Sequence, residues 1–389
     1  MRIASIDILR ALTMVLMIWV NDFWTLDNVP KWLQHASAVE DYLGFSDIIF
    51  PLFLFIVGLS IPYAINHRLS KNESTWRLAK HILIRSFSLL LIGFYMVNYE
   101  THNETLGLGR YLWCFLMAVA VVLIWMNWKK SPIPKKWHII FQSVGIMILV
   151  YLAISYQGGD LGEVSMKPQW WGILGLIGWA YLANALVYLF TKGNLYVMLM
   201  LWIGFNTLSV LATTTDLLQF EGILGYISPV YTGTIPAFTS AGVVATLLFK
   251  RLGEKGFKWS YSVLIGLGIL CLVYGLSTRP LWGISKIQGT PSWLAICSGI
   301  GFLSFILLHY ISDVLKITRW ANIIKPAGTA TLTCYMIPYF IYPLRNLSNI
   351  RLPEILNSGI VGLLISLCFA LLVVLFTGWL ERKGYKLKL

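Results

Sequence analysis

The chain is a series of apolar runs about twenty residues long, broken by short polar stretches. A run of that length has one ready use, a helix that crosses the hydrocarbon core of a bilayer. Twelve are predicted, near residues 5–24, 45–66, 80–98, 108–128, 137–156, 169–190, 194–213, 235–250, 258–276, 292–314, 326–346 and 358–380. Lipid offers no partner for backbone polar groups, so spanning segments must be helices or a closed barrel. The runs are continuous rather than alternating, and the expected fold is an all-α polytopic transmembrane helix bundle. Charged residues make up only 12% of the chain, about half the share in soluble domains, which excludes disorder and a coiled coil.

The net charge of +13 is accounted for by sidedness. With the N-terminus inside, 21 Lys and Arg fall on the inner side and 7 on the outer, while Arg10 and Arg85 lie within spans. That bias implies an N-in, C-in topology rather than a nucleic-acid footprint. The first run starts close to Met1, is interrupted by Asp7 and Arg10, and leads to no A-x-A site. An uncleaved first span is therefore expected. All five cysteines fall within spans and C-x-x-C spacing is absent, so neither disulfides nor structural zinc is expected. The longest outer loop, about 214–234, is too short for a soluble domain. The expectation is one integral membrane domain over 1–389 whose chemistry is done by spans and short loops.

Ionisable groups inside spans are costly and mark candidate sites. Asp7 and Arg10 are three residues apart and can pair on one helix face; they read either as a buried ion pair or as a receptor for an anion from the cytoplasm. Asn21 and Asp22 follow Asp7 by fourteen and fifteen residues, about 21 Å along a helix and so across the bilayer. His35 lies in the next loop and Asp47 opens the second span from that same side, with Phe50-Pro51 expected to loosen the helix start. The short connection gathers Asn21, Asp22, His35 and Asp47 at one level. A histidine beside a carboxylate and an amide is the minimum set for general base catalysis; the plainer alternative is an interfacial loop histidine and a helix-capping aspartate. Two further outer segments, Phe220–Thr234 with Glu221, and Leu276–Trp293, are rich in Gly, Pro, Ser and Thr. They suit broken backbone lining a wet cavity, as they suit ordinary turns. Arg279 and Lys286 either grip a carboxylate or sulfate on a substrate or stay solvated.

These residues form a recognisable pattern. Ser5-Ile6-Asp7-Ile8-Leu9-Arg10, Val20-Asn21, Gln34-His35-Ala36 and Ser46-Asp47 through Phe50-Pro51-Leu52-Phe53 to Gly58-Leu59-Ser60-Ile61 together resemble the heparan-α-glucosaminide N-acetyltransferase family of transmembrane acyltransferases. Glu221-Gly222-Ile223-Leu224-Gly225 is similar to that family's E-G-I-L-G loop, Ser285–Trp293 occupies the place of its N-K loop, and Gly328–Tyr335 resembles its late helix. The resemblance implies acetyl transfer from cytosolic acetyl-CoA, as co-substrate, to the amine of a glucosamine-type sugar on the opposite face. It makes His35 the catalytic histidine, Asn21 the nearby amide and Asp47 the nearby carboxylate. Asp7, Arg10, Arg77, Lys80 and Arg85 become candidates for the donor site, Asp22, Glu221, Arg279 and Lys286 for the acceptor site, with no metal. Expected partners are the amino-sugar acceptor and membrane lipids, not nucleic acid; a second copy of the chain stays open.

Departures from the family pattern bear on the acceptor. Residues 108–156 look like an extra pair of spans, Ala11 follows Arg10 where a glycine is usual, and Pro338 stands where a late-helix histidine is expected. The family's lumenal domain has no counterpart, which points to a bacterial inner membrane. Another cell-envelope amino sugar is the alternative acceptor, and direct transfer and an acetyl-His35 route stay open. A secondary transporter also fits twelve spans, although the in-span charges crowd the first half.

Overall fold

The computed structural model describes residues 3–215, 222–254, 256–350 and 353–389. In chain order the helices are α1 (Ala4–Phe23), α2 (Ser46–Leu69), α3 (Thr75–Glu100), α4 (Arg110–Trp125), α5 (Lys135–Ile154), α6 (Ile173–Phe190), α7 (Leu195–Thr214) and the single turn α8 (Ser228–Tyr231). They continue as α9 (Thr234–Gly253), α10 (Phe257–Ser277), the short α11 (Arg279–Trp282), α12 (Pro291–His309), α13 (Lys325–Thr329), α14 (Thr331–Met336), α15 (Pro338–Leu347) and α16 (Gly359–Arg382). Among the described residues there is no β-strand, only isolated backbone bridges, and ten helices are long and apolar enough to cross a membrane.

Two of the twelve expected spans differ. The run at 108–128 forms a helix of only 16 residues, α4. The run at 326–346 is broken into α13, α14 and α15. Proline explains the break before α15, because it lacks a backbone donor and crowds the preceding turn. Pro326 and Pro338 each sit at a helix start, and Ala330 between α13 and α14 leaves helical geometry at φ −120°, ψ 45°.

The chain divides into two compact units. The first comprises Met1–Thr13, Pro30–Leu90 and Leu176–Trp320; the second comprises Met14–Val29, Leu91–Gly175 and Ala321–Leu389. In the first unit α2 and α9 pack almost backbone to backbone. A Cβ at Gly58 would lie 1.9 Å from the Thr239 carbonyl oxygen, and one at Gly242 would lie 2.0 Å from that of Phe55. Such close approach is how helices associate in lipid, where no hydrophobic force separates protein from solvent. Thr239 and Thr246 add hydroxyl donation to the Leu54 and Leu59 carbonyls. Leu9, Phe55, Leu59, Phe302 and Phe305 fill the surrounding core. The N-terminus of α1 is capped from within this unit: Asp313, on a π-helical turn after α12, accepts the Ala4 and Ser5 amides at 2.9 Å each.

The second unit has an aromatic centre. Trp113 is fully buried, stacks on Tyr95 and donates its indole N–H to the Leu152 carbonyl. Beside it His102 packs edge-on to Tyr156, and burial pulls its imidazole below the usual histidine range.

Candidate active site

The site begins with a glycine. The chain from Trp32 to Ala36 lies directly against residues 44–47, with Phe45 donating to the Trp32 carbonyl at 2.7 Å and Ser46 to that of Leu33. A Cβ on Gly44 would stand 1.8 Å from the Gln34 carbonyl oxygen, so only glycine permits this approach. Folding the loop back in this way brings His35 to the first turn of α2.

There His35 Nδ1 is 2.6 Å from Asp47 Oδ1. The second carboxylate oxygen accepts the backbone N–H groups of Ala36 at 3.0 Å and Gly44 at 3.2 Å. Asp47 is 1% exposed, and a buried carboxylate must have its lone pairs filled. Its three donors do that. A contact this short needs a proton between nitrogen and oxygen, and an ionised carboxylate has none. In a singly protonated ring that proton sits on Nδ1 and Nε2 carries the lone pair. This is the arrangement in which a carboxylate fixes the tautomer of a catalytic histidine.

Pro51 completes the support. In a regular helix its N–H would bond the Asp47 carbonyl four residues back, but proline has none. The Trp293 indole N–H from α12 takes that place at 3.1 Å, with the Cys297 thiol one turn further on at 3.9 Å. The helix start that Phe50-Pro51 was expected to loosen is continuous from Ser46 to Leu69.

The loop between α10 and α12 closes over the same place. Lys286 Nζ lies 3.2 Å from His35 Nδ1 and 4.0 Å from Asp47 Oδ1. Burial lowers the Lys286 pKa, while Asp47 pulls it back up. Arg279 is committed elsewhere: its Nε reaches Asp41 Oδ2 at 2.8 Å and its terminal nitrogen the Asp41 carbonyl at 2.9 Å. The Ile284 amide bonds the other carboxylate oxygen at 2.7 Å, and Gln288 donates to the Ala38 carbonyl. The Gly- and Ser-rich stretch expected here is thus a short helix and turns clasped to the 30–45 loop.

At the other end of α2 a cavity of about 1430 Å³ opens, lined among others by Asp7, Arg10, Ser60, Tyr63, Lys250 and His309. Arg10 pairs with Asp7 at 3.2 Å and donates to the Ser60 hydroxyl, so the first and second motif blocks meet here. Lys250 Nζ sits 3.8 Å over the Tyr63 ring, and Tyr261 OH is 2.7 Å from His309 Nδ1. Arg77 and Lys80 are exposed on the first turns of α3, outside this lining. Arg85 lies over the Tyr181 ring at 4.8 Å.

Asn21 and Asp22 belong to the second unit, where Asn21 is exposed and Asp22 accepts the Tyr342 hydroxyl at 2.8 Å. Glu221 lies outside the described residues. Sequence reasoning missed Gly44, Lys250 and His309. A glycine three residues before a buried carboxylate was the available signal for the first.

Comparison with known proteins now adds identity to geometry. Residues 2–282 match the family described as heparan-alpha-glucosaminide N-acetyltransferase, catalytic. The chain belongs to this family. It is also similar to heparan-alpha-glucosaminide N-acetyltransferase of Homo sapiens, 35% identical over 101 residues, and to that of Mus musculus, 34% identical over 101 residues. Either match covers 25% of this chain and only 14% of the relative's length. As a family member built of apolar helices of spanning length, the protein is an integral membrane protein. The family match includes His35, Asp47, Gly58 and Arg279 but ends before Lys286, so the contact of that lysine with His35 rests on the structure alone.

Proposed function

We propose that the protein moves an acetyl group from acetyl-CoA on the cytosolic side to the amine of a glucosamine-type sugar on the opposite side of the membrane. The observation that carries this reading is the buried His35–Asp47 pair at 2.6 Å, held in the base-competent tautomer within a chain of this family. His35 Nε2 takes a proton from the attacking amine as its nitrogen bonds to the thioester carbonyl carbon. The tetrahedral oxyanion then collapses, the C–S bond breaks and coenzyme A leaves as the thiolate, which is protonated in turn. For Asn21, the resemblance alone supports a part as amide donor to the oxyanion.

The cavity at the far end of α2 suits the donor in size, with Arg10, Lys250 and Lys316 in its lining to meet phosphates beside the carboxylates Asp7, Glu254 and Asp313. Arg77 and Lys80 on the exposed start of α3 are further cations for the nucleotide end. Ser60 follows Asp47 by thirteen residues, about 20 Å along the helix, a gap for the extended pantetheine arm to span. Asp22, Glu221 and Lys286 are retained as candidates on the acceptor side, whereas the engagement of Arg279 with Asp41 favours a loop-holding role.

The test incubates purified protein with labelled acetyl-CoA and glucosamine beside His35→Ala. The expected result is acetyl transfer by the wild type and a loss of about 10²–10⁴-fold in the variant. Equal transfer by both would remove His35 from the mechanism. Repeating the assay with other cell-envelope amino sugars identifies the acceptor.

A further inference from the structure

Two basic side chains cannot crowd one buried carboxylate without affecting each other, and Lys286 approaches the His35–Asp47 pair in that way. We infer that Lys286 is a positioning residue for His35: its ammonium balances the Asp47 carboxylate, so that His35 rests with a single ring proton, on Nδ1, and with Nε2 available as the base.

Asp47 is buried, and its hydrogen-bond donors His35 Nδ1, Ala36 N and Gly44 N satisfy its lone pairs without cancelling its charge. Lys286, 4.0 Å away, supplies the cation. With the lysine charged and the histidine neutral, the group is electrically balanced. If the lysine charge were removed, the remaining way to balance the carboxylate would be a second proton on His35, which consumes the base. The 3.2 Å between Nζ and Nδ1 points the same way. Nδ1 already spends its proton on Asp47 and cannot accept one from the ammonium, so the contact is electrostatic and opposes further protonation of the ring. The groups acting on Lys286 come from each packed element: Asp47 on α2 and Cys297 on α12, with His35 on its own loop. The neighbouring Arg279–Asp41 pair is internally balanced. Burial lowers the Lys286 pKa, so the balance fails at lower pH than a free lysine would imply.

This rests on His35 acting as the base of acetyl transfer, and the experiment separates the two ideas. The profile of kcat/KM against pH is measured for wild type, Lys286→Met and Lys286→Arg. In the methionine variant the acidic limb moves up by about 1–3 pH units, and arginine returns it. A lower rate with the limb unmoved would make Lys286 merely structural and overturn the inference. In parallel, ring 15N spectra of histidine-labelled protein, with the His35 signal assigned by its loss in His35→Ala, report the ring directly. Wild type shows the neutral Nδ1–H ring at neutral pH and Lys286→Met shows the doubly protonated ring; identical ring states overturn the inference without any turnover. Absence of transfer by wild type would sink the acetyltransferase reading, while the spectra still decide the role of Lys286.

Discussion

Pro51 shapes the site by what it lacks. The missing N–H leaves the Asp47 carbonyl unbonded within α2, and the indole of Trp293 fills the vacancy from α12. That couples the backbone of the carboxylate to a second helix, so Asp47 is held through both side chain and main chain. Trp293→Phe keeps the ring that packs edge-on against Phe238 and removes only the donor. The orphaned buried carbonyl should then cost about 1–3 kcal/mol, seen as a lower unfolding temperature together with reduced acetyl transfer. An unchanged unfolding temperature would show that the Cys297 thiol or a water takes over the bond. At this scale the sequence was informative about residue types and blind to their partners. His35 and Asp47 stood out because an ionisable pair near a span is costly. Nothing in the spacing of Trp293 or Lys286 announced that a segment some 250 positions away would meet that pair.

Among elements, the two loops that carry His35 and Lys286 depend on a clasp rather than on regular structure. Hydrogen bonding to Arg279 holds the Asp41 carboxyl below the usual range, against the opposing effect of its small burial. For a group whose folded value is depressed, the contribution is present above the unfolded carboxyl value and is lost as pH falls through the folded one. The clasp therefore persists through neutral and mildly acidic pH. Breaking it from the other side is the sharper test. Asp41→Asn should raise the rate of trypsin cleavage after Lys286 several-fold at mildly alkaline pH, while leaving the helices intact by circular dichroism. Cleavage no faster than wild type would mean that the Gln288–Ala38 contact alone holds the loop. Gly58 belongs to this scale as well. It lies in the motif that revealed the family, yet its reason for being glycine is the approach of α2 to Thr239, packing rather than chemistry. A motif read from sequence does not separate these two causes, because both demand the same residue.

For the whole molecule, apolar runs made the helical class legible, since a bilayer leaves a continuous apolar segment few alternatives. The run at 326–346 shows the limit of that reasoning: hydropathy registers its length, and the breaks at Ala330 and Pro338 that divide it register only in the backbone. What the Lys and Arg bias adds is an expected sidedness, and the proposed mechanism stands or falls on it. Asp47 is in the first turn of α2 and the cavity opens at the last turns of the same helix, so donor and acceptor should be taken from opposite compartments. Proteoliposomes with labelled acetyl-CoA sealed inside and glucosamine only outside provide the measurement. Labelled N-acetylglucosamine should accumulate outside while intact acetyl-CoA stays inside, and a membrane-impermeant thiol reagent added outside should leave the rate unaltered because coenzyme A is released internally. Lys250→Glu, at the cavity end, should raise the KM for acetyl-CoA and leave that for glucosamine unchanged, since repulsion there acts on phosphate alone. Product formed only when donor and acceptor share a compartment would place both substrates at one face and rule out transfer along α2.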